Sequence, residues 1–354
     1  MLRLSFRMFS LDEADAWDSL VRSFPHWDVY YLSAYARSFS IHGDGVPYLV
    51  FYENDGCRVC FVVMQQDIST DPRFAGAIPA GAWYDWSTPY GYGGPLVDGT
   101  VDAETERDFS QQLHAYCRAH HIVSLFVRFH PLLLNHACFP NLFECRYMHD
   151  TIAIDTRNPE TIARNMDSAC RNKVRKAKKN GVVVRCRPVE DMEAFRRIYE
   201  DTMTRDHAND YYFFGSPYFS AQKALADHAC LFYAYHEDQP IAGTIIYYTE
   251  EYMHYHLSGS LTAYRKFAAI NLLLYEVAVW GAERGIQRFH LGGGMAPDDN
   301  LFGFKKQFNK NGRCPFHIGR VIFDAERYQR LIEIRKERDV SFDEENSFMI
   351  QYRR

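Results

Sequence analysis

At 354 residues the chain is too long for one ordinary core and long enough for two. Hydrophobic residues make up 47% and charged residues 24%, a globular balance, and a net charge of −5 argues against a general nucleic-acid binder. No apolar run approaches the roughly 18 residues of a membrane span. The N-terminal MLRLSFRMFSLDEADAW turns acidic too early for a secretory signal, so a cytoplasmic location is expected. Nine scattered cysteines give no disulfide framework. Cys57 and Cys60 form a single CxxC in a strand-like run with no second pair, so they read as packing positions and no metal site is expected.

In chain order, the first regular pattern is a hairpin, YLVFYENDGCRVCFVVM, turning at Glu53–Gly56, where Asp-Gly favours a tight turn. The run STPYGYGGPLV from Ser87 interleaves glycine and proline with Tyr90 and Tyr92. It predicts an irregular loop, either the wall of a ligand cleft or a structural turn. A helix over 102–120 follows, with Phe109, Leu113 and Tyr116 at helical spacing, and then the strand IVSLFVRF. Near residue 150 a new strand and helix begin, with Thr156 or Asn158 as cap and Pro159 in the first turn. The order then repeats: a hairpin in CLFYAYHEDQPIAGTIIYYT, the strand YMHYHLSGS, an apolar helix from Ala268 to Gly285, and the strand IQRFHLGG.

A hairpin, a helix and a further strand is the element order of an N-acetyltransferase (GNAT) core, here met twice. The expected fold is therefore α/β (α+β): two tandem GNAT-like domains, each a mixed sheet flanked by helices, around a shared cleft. The expected limits are 1–150 and 151–324, with 325–354 packing back on the first domain. The second domain would hold the active site.

Two segments stand out chemically. Residues 171–187 carry eight Lys/Arg and no Asp/Glu, which leaves 32 basic against 45 acidic residues elsewhere. On a helix, Arg171, Arg175, Lys178 and Lys179 fall within one arc. This is either a site for the phosphates of a tRNA or nucleotide-linked substrate, or a solvated face. In LGGGMAPDDNLFGFKKQF, three glycines end a strand and Phe302, Phe304 and Phe308 flank Lys305 and Lys306. A lysine held among aromatics is partly desolvated and suits an oxyanion; the bland alternative is an exposed lysine on an amphipathic turn. His254 and His256 alternate on one strand and read mainly as packing or hydrogen-bonding groups.

RNKVRKAKKNGV, DTMTRDHANDYYFF, and YHLSGSLTAYRKFAAINLLLYEVAVWGAERGIQRFHLGGG followed by FGFKKQF together resemble the FemABX family of peptidoglycan bridge-forming aminoacyltransferases. The resemblance implies transfer of an aminoacyl group from aminoacyl-tRNA to an amine, with a nucleotide-linked peptidoglycan precursor as one acceptor. It places Phe304 and Lys305 on the family's Phe-Lys pair, whose lysine is implicated in catalysis. It also places Arg37, Arg205, Tyr211, Tyr212 and Tyr255 near the acceptor region. The family's long helical arm has no counterpart here. His130 of Arg128-Phe129-His130-Pro131 stands where an acid is expected. The alternative is an acyl-CoA donor with an amino sugar or a small metabolite amine as acceptor; GNAT enzymes hold the CoA pyrophosphate on a glycine-rich turn, and Arg265–Ala269 offers no glycine there, which weighs against it. A non-catalytic binding module is the remaining alternative. No bound cofactor is expected.

Overall fold

The computed structural model describes residues 5–354, so the first four residues of the N-terminal segment lie outside it. The chain splits into two compact units, one running to Met148 and resuming at Phe316–Arg354, the other His149–Pro315.

The first unit opens with β1 (Ser5–Phe9), α1 (Ala14–Arg22) and α2 (Ser33–His42). β2 (Val46–Glu53) and β3 (Cys57–Asp67) form the expected hairpin, whose turn is fixed by the Gly56 amide donating to Asn54 Oδ1 at 3.0 Å. β4 (Tyr84–Ser87) runs antiparallel to the end of β3, and β5 (Leu96–Gly99) pairs with its start. α3 (Ala103–Ala119) crosses over to β6 (Ile122–Arg128), which lies parallel to β4. Asp102 starts α3 by accepting the Thr105 amide, and Phe109, Leu113 and Cys117 recur every four residues on its buried stripe. Cys57 and Cys60 sit inside this core; burial pushes the Cys57 thiol up to about 11 and Cys60 higher, so both are inert packing groups.

β7 (Glu144–Asp155) leads into the second unit. Next come α4 (Pro159–Asn165), capped by Asn158, α5 (Ser168–Lys179), β8 (Val183–Pro188), α6 (Glu193–Arg205) and α7 (Ser216–Ala221). β9 (Ala229–His236), β10 (Gln239–Tyr248) and β11 (Tyr252–Ser260) form an antiparallel meander. α8 (Ala269–Glu283) crosses over to β12 (Arg288–Gly292), parallel to β11, and α9 (Asn300–Lys306) follows. The core of this unit packs α4, α5 and α8 against the sheet through Ile162, Val174, Leu273, Val277 and Phe289. The chain returns to the first unit through β13 (Arg313–Ile322), antiparallel to β6, and ends with α10 (Ala325–Arg338) and a short tail.

The strand order of the first unit is β1-β2-β3-β4-β6-β13, and that of the second is β8-β9-β10-β11-β12-β7. Position by position the pairings agree: three antiparallel steps, one parallel step and one antiparallel step. Each unit has its crossover helix at the parallel step, since parallel strands need a long connection. The α/β duplication expected from sequence is present. The first unit's last strand, β13, comes from beyond the second unit in the chain, whereas β7, which follows β6, pairs with β12. No helix of the described residues is long and apolar enough to cross a membrane.

Candidate active site in the second unit

β11 and β12 pair over Tyr252–His254 against Arg288–His290. Tyr255 is the next residue of β11, and Gly293 and Gly294 follow the end of β12, so both flank the point where this pairing stops. Lys305 on α9 reaches the same place. It is 8% exposed, its Nζ donates to the Gly293 carbonyl oxygen at 2.6 Å, and it lies 5.9 Å from the centre of the Tyr255 ring. Burial pushes its ammonium down to about 8, and the Asp299 carboxylate opposes part of that shift. The desolvated reading of this lysine holds and the exposed one does not. Its charged end meets Tyr255 and a backbone carbonyl, whereas the flanking phenylalanines serve the core: Phe302 is buried, and Phe304 packs edge-on to Phe308 at 5.4 Å.

The glycine turn has steric reasons. A Cβ on Gly293 would meet His149 at 2.7 Å, and one on Gly294 would meet Asp299 Oδ1 at 2.0 Å. Asp299 accepts the Phe302 amide at 2.7 Å, Met295 at 2.7 Å and Ala296 at 3.1 Å. Desolvation works to raise its carboxyl, but these backbone donors hold it below the usual range. Sequence reading missed Asp299. Its signal was an acidic residue three positions ahead of Phe302 at a helix start, which is N-cap spacing.

Behind β11 lies a polar-aromatic network. His256 Nε2 is 2.7 Å from the Tyr218 hydroxyl, its ring is 4.6 Å from that of Tyr247, and Tyr247 donates to Gln222 at 2.6 Å. Burial and the neighbouring His254 push His256 down to about 3, so it is neutral. Tyr211 and Tyr212 stand on the short turn Asp210–Tyr212, and Tyr199 donates to the Tyr212 carbonyl at 2.8 Å. Tyr211 packs on Phe214, which stacks on Tyr218 at 4.2 Å. This segment is thereby joined to β11 one residue from Tyr255. Arg205 is committed to the fold: it donates to the Ser260 carbonyl at 2.9 Å and pairs with Asp206 and Asp201.

The basic helix α5 does not present four equivalent cations. Arg171 turns back on the chain and donates to the carbonyls of Ala163 and Met166. Lys178 pairs with Glu276 of α8 at 2.8 Å and lies over the Tyr275 ring, so the acidic partner missing from the segment is supplied by another helix. Arg175 and Lys179 are exposed and make no ion pair with any described residue.

The remaining candidates lie in the first unit. Arg37 is exposed on α2. The Tyr90–Tyr92 loop is tied down on every side. Tyr35 donates to the Tyr90 carbonyl at 2.6 Å, Arg128 to Gly91 at 2.9 Å, and Asn135 to Gly93 and Pro95. Gly91, at φ +94°, leaves no room for a Cβ against Tyr30 and Tyr35, so the close approach its glycines allow is to the protein's own rings. Tyr92 packs edge-on to Tyr30, His130 and Phe316. His130 is fully buried with Nε2 3.0 Å from Asp28, while its Nδ1 accepts the Leu132 and Leu133 amides. An open cavity of about 570 Å³ in this unit is lined by Gln65, Gln66, Asp67 and Thr70. Within it Asp71 pairs with Arg73 and Arg353.

Residues 164–306 match the family model described as an acetyltransferase (GNAT) domain, which takes in α5, Tyr255, the glycine turn and Lys305. No curated protein matches the chain by sequence. Among solved structures the chain is similar to FemX, at 13% identity and a TM-score of 0.64, with 92% of this chain and 99% of that one covered. It is also similar to a conserved protein of unknown function from Bacteroides thetaiotaomicron (11% identity, TM-score 0.59, 90% and 99% covered). The C-terminal domain of a putative lysylphosphatidylglycerol synthetase from Agrobacterium fabrum gives 11% identity and a TM-score of 0.56, with 87% and 90% covered. By fold, then, the chain is FemX-like, with two GNAT-like units and a match to a GNAT domain over residues 164–306.

Proposed function

We propose that the chain is an N-acyltransferase that moves an aminoacyl group from aminoacyl-tRNA to the amine of a cell-wall precursor or a related acceptor. The observation that carries this reading is the buried Lys305 ammonium at the glycine turn. The acceptor nitrogen attacks the ester carbonyl carbon, the carbonyl oxygen takes the negative charge, and the tetrahedral adduct expels the ribose oxygen. The amide forms as the nitrogen loses its extra proton and the departing oxygen gains one. A cation with an ordinary value pulled down to about 8 is still mostly charged at neutral pH and poorly solvated, so it stabilises an oxyanion and a departing alkoxide more strongly than a hydrated lysine. An ester is already activated, so positioning and this charge suffice without a covalent intermediate. Arg175 and Lys179 supply phosphate contacts.

One observation favours the second reading, an acyl-CoA donor. Ala268 takes φ 57° and ψ 37° at the start of α8, so the left-handed turn forms there without glycine, at a cost of roughly 1–2 kcal/mol. The test is titration of the purified protein with a charged tRNA pool and, separately, with acetyl-CoA, at low and moderate salt. Salt-sensitive tRNA binding that weakens in Arg175→Gln/Lys179→Gln supports the aminoacyl reading. Tight acetyl-CoA binding without tRNA affinity replaces it with the CoA one. Binding of neither, with turnover unaffected by loss of Lys305, overturns both.

A further inference from the structure

We infer that Asp299 is a positioning residue for Lys305: its carboxylate clamps the 292–296 turn to the start of α9, and so holds the Gly293 carbonyl and the Lys305 ammonium together. This rests on the reading of Lys305 as the charged group of the site. Three hydrogen bonds carry the clamp. One oxygen takes the Phe302 amide at the first turn of α9, and the other takes the Met295 and Ala296 amides on the far side of the loop. Gly294 lies so close to the carboxylate that any Cβ would overlap it, so the turn is moulded on this side chain. Lys305 follows Asp299 by six residues, less than two helical turns, and it donates back across the same loop to Gly293. Both ends of the Lys305–Gly293 contact therefore hang from one carboxylate.

Asp299 also acts on the charge of Lys305. Burial favours the neutral amine, and Asp299 is the carboxylate that opposes it. The other titratable groups facing this corner are the Tyr255 phenol on β11, which burial raises to about 12 and keeps neutral, and His149 on β7, whose ring lies against Gly293. Removing the Asp299 charge should lower the Lys305 midpoint further, because a group near +1 loses its nearby −1. Asp299→Asn loses the charge and one of the two acceptor oxygens. Asp299→Ser loses the charge and the loop clamp but can still cap α9. Asp299→Glu keeps the charge.

The experiment is competitive labelling of the intact protein with trace acetic anhydride over a range of pH, with Lys305 reactivity read by peptide mass spectrometry. In wild type the midpoint is expected at about 8. The expected result is a fall in both Asp299→Asn and Asp299→Ser, and recovery of the midpoint in Asp299→Glu. An unchanged midpoint in folded Asn and Ser variants overturns the inference. Amide exchange on the wild type needs no variant: Met295 and Ala296 should be protected alongside Phe302, and rapid exchange of the first two overturns the clamp. The underlying reading fails separately. If Lys305→Ala retains turnover while the Asp299 variants move the Lys305 midpoint, the catalytic role is wrong and the positioning stands.

Discussion

The Nζ of Lys305 and the carbonyl oxygen of Gly293 are 2.6 Å apart, and the lysine that makes this contact is buried. A backbone carbonyl is a weak partner for a buried cation, since it supplies a dipole and no counter-charge. The ammonium makes no ion pair with any described residue, and the Asp299 carboxylate offsets part of the cost of its burial.

On the proposed chemistry, Lys305→Ala should lower turnover by about 10²- to 10³-fold, the usual loss for one oxyanion donor, with donor affinity largely retained. Single-turnover kinetics alongside donor titration separate the two effects. Wild-type turnover in Lys305→Ala removes Lys305 from the mechanism.

Lys305 also makes stability depend on pH in a definite direction. Its folded value of about 8 lies below the ordinary 10.5, so between those two limits the unfolded chain binds more protons and wild-type stability rises with pH. Below about 8 the burial penalty is present in full. Lys305→Met has no such term, so its advantage over wild type should shrink by about 2 kcal/mol between pH about 7 and about 9.5. Urea unfolding of both proteins at the two pH values measures it.

His256 gives an acid-side counterpart. Its folded value near 3 lies below the ordinary 6.5, so the stability it contributes as a neutral ring is present above about 6.5 and is lost as pH falls toward 3. His256→Gln should flatten the acid limb of the unfolding midpoint against pH. An unchanged limb would mean that the ring is not kept neutral by burial.

The cations of α5 should separate by role. Arg171→Gln removes donors to the Ala163 and Met166 carbonyls and should destabilise by about 1–2 kcal/mol. Arg175→Gln/Lys179→Gln should leave stability within about 0.5 kcal/mol and lower the slope of log K against log salt for tRNA by about 1–2. Thermal melts and salt-dependent titrations tell the two classes apart.

Asn135 holds the first unit's loop by donating to the Gly93 and Pro95 carbonyls while accepting the His130 amide. All three contacts are buried, so Asn135→Ala should cost about 2–3 kcal/mol and release Tyr90 and Tyr92. Chemical denaturation and the mobility of the tyrosine ring resonances report on it.

Much of this molecule was legible in the chain itself, because local patterns are governed by local physics. The Glu53–Gly56 turn, the cap at Asn158 with Pro159, and the apolar helix from Ala269 all follow from residues within a few positions of one another. The repeated order of elements and the aromatic-flanked lysine were equally readable.

Contacts between distant residues were decided only by the tertiary structure. Nothing near residues 171–179 announces that Glu276 will meet Lys178, that Arg171 will turn back on Met166, or that Asp28 will face His130 from 102 positions away. That β6 pairs with β13 and β12 with β7 is equally invisible, since strand periodicity fixes which face of a strand is buried and not which strand it pairs with. The order of elements along the chain pointed to two GNAT-like units, and the FGFKKQF run marked out Lys305. Burial beside Tyr255 and Gly293, a matter of what packs around one side chain, determined that its ammonium is desolvated.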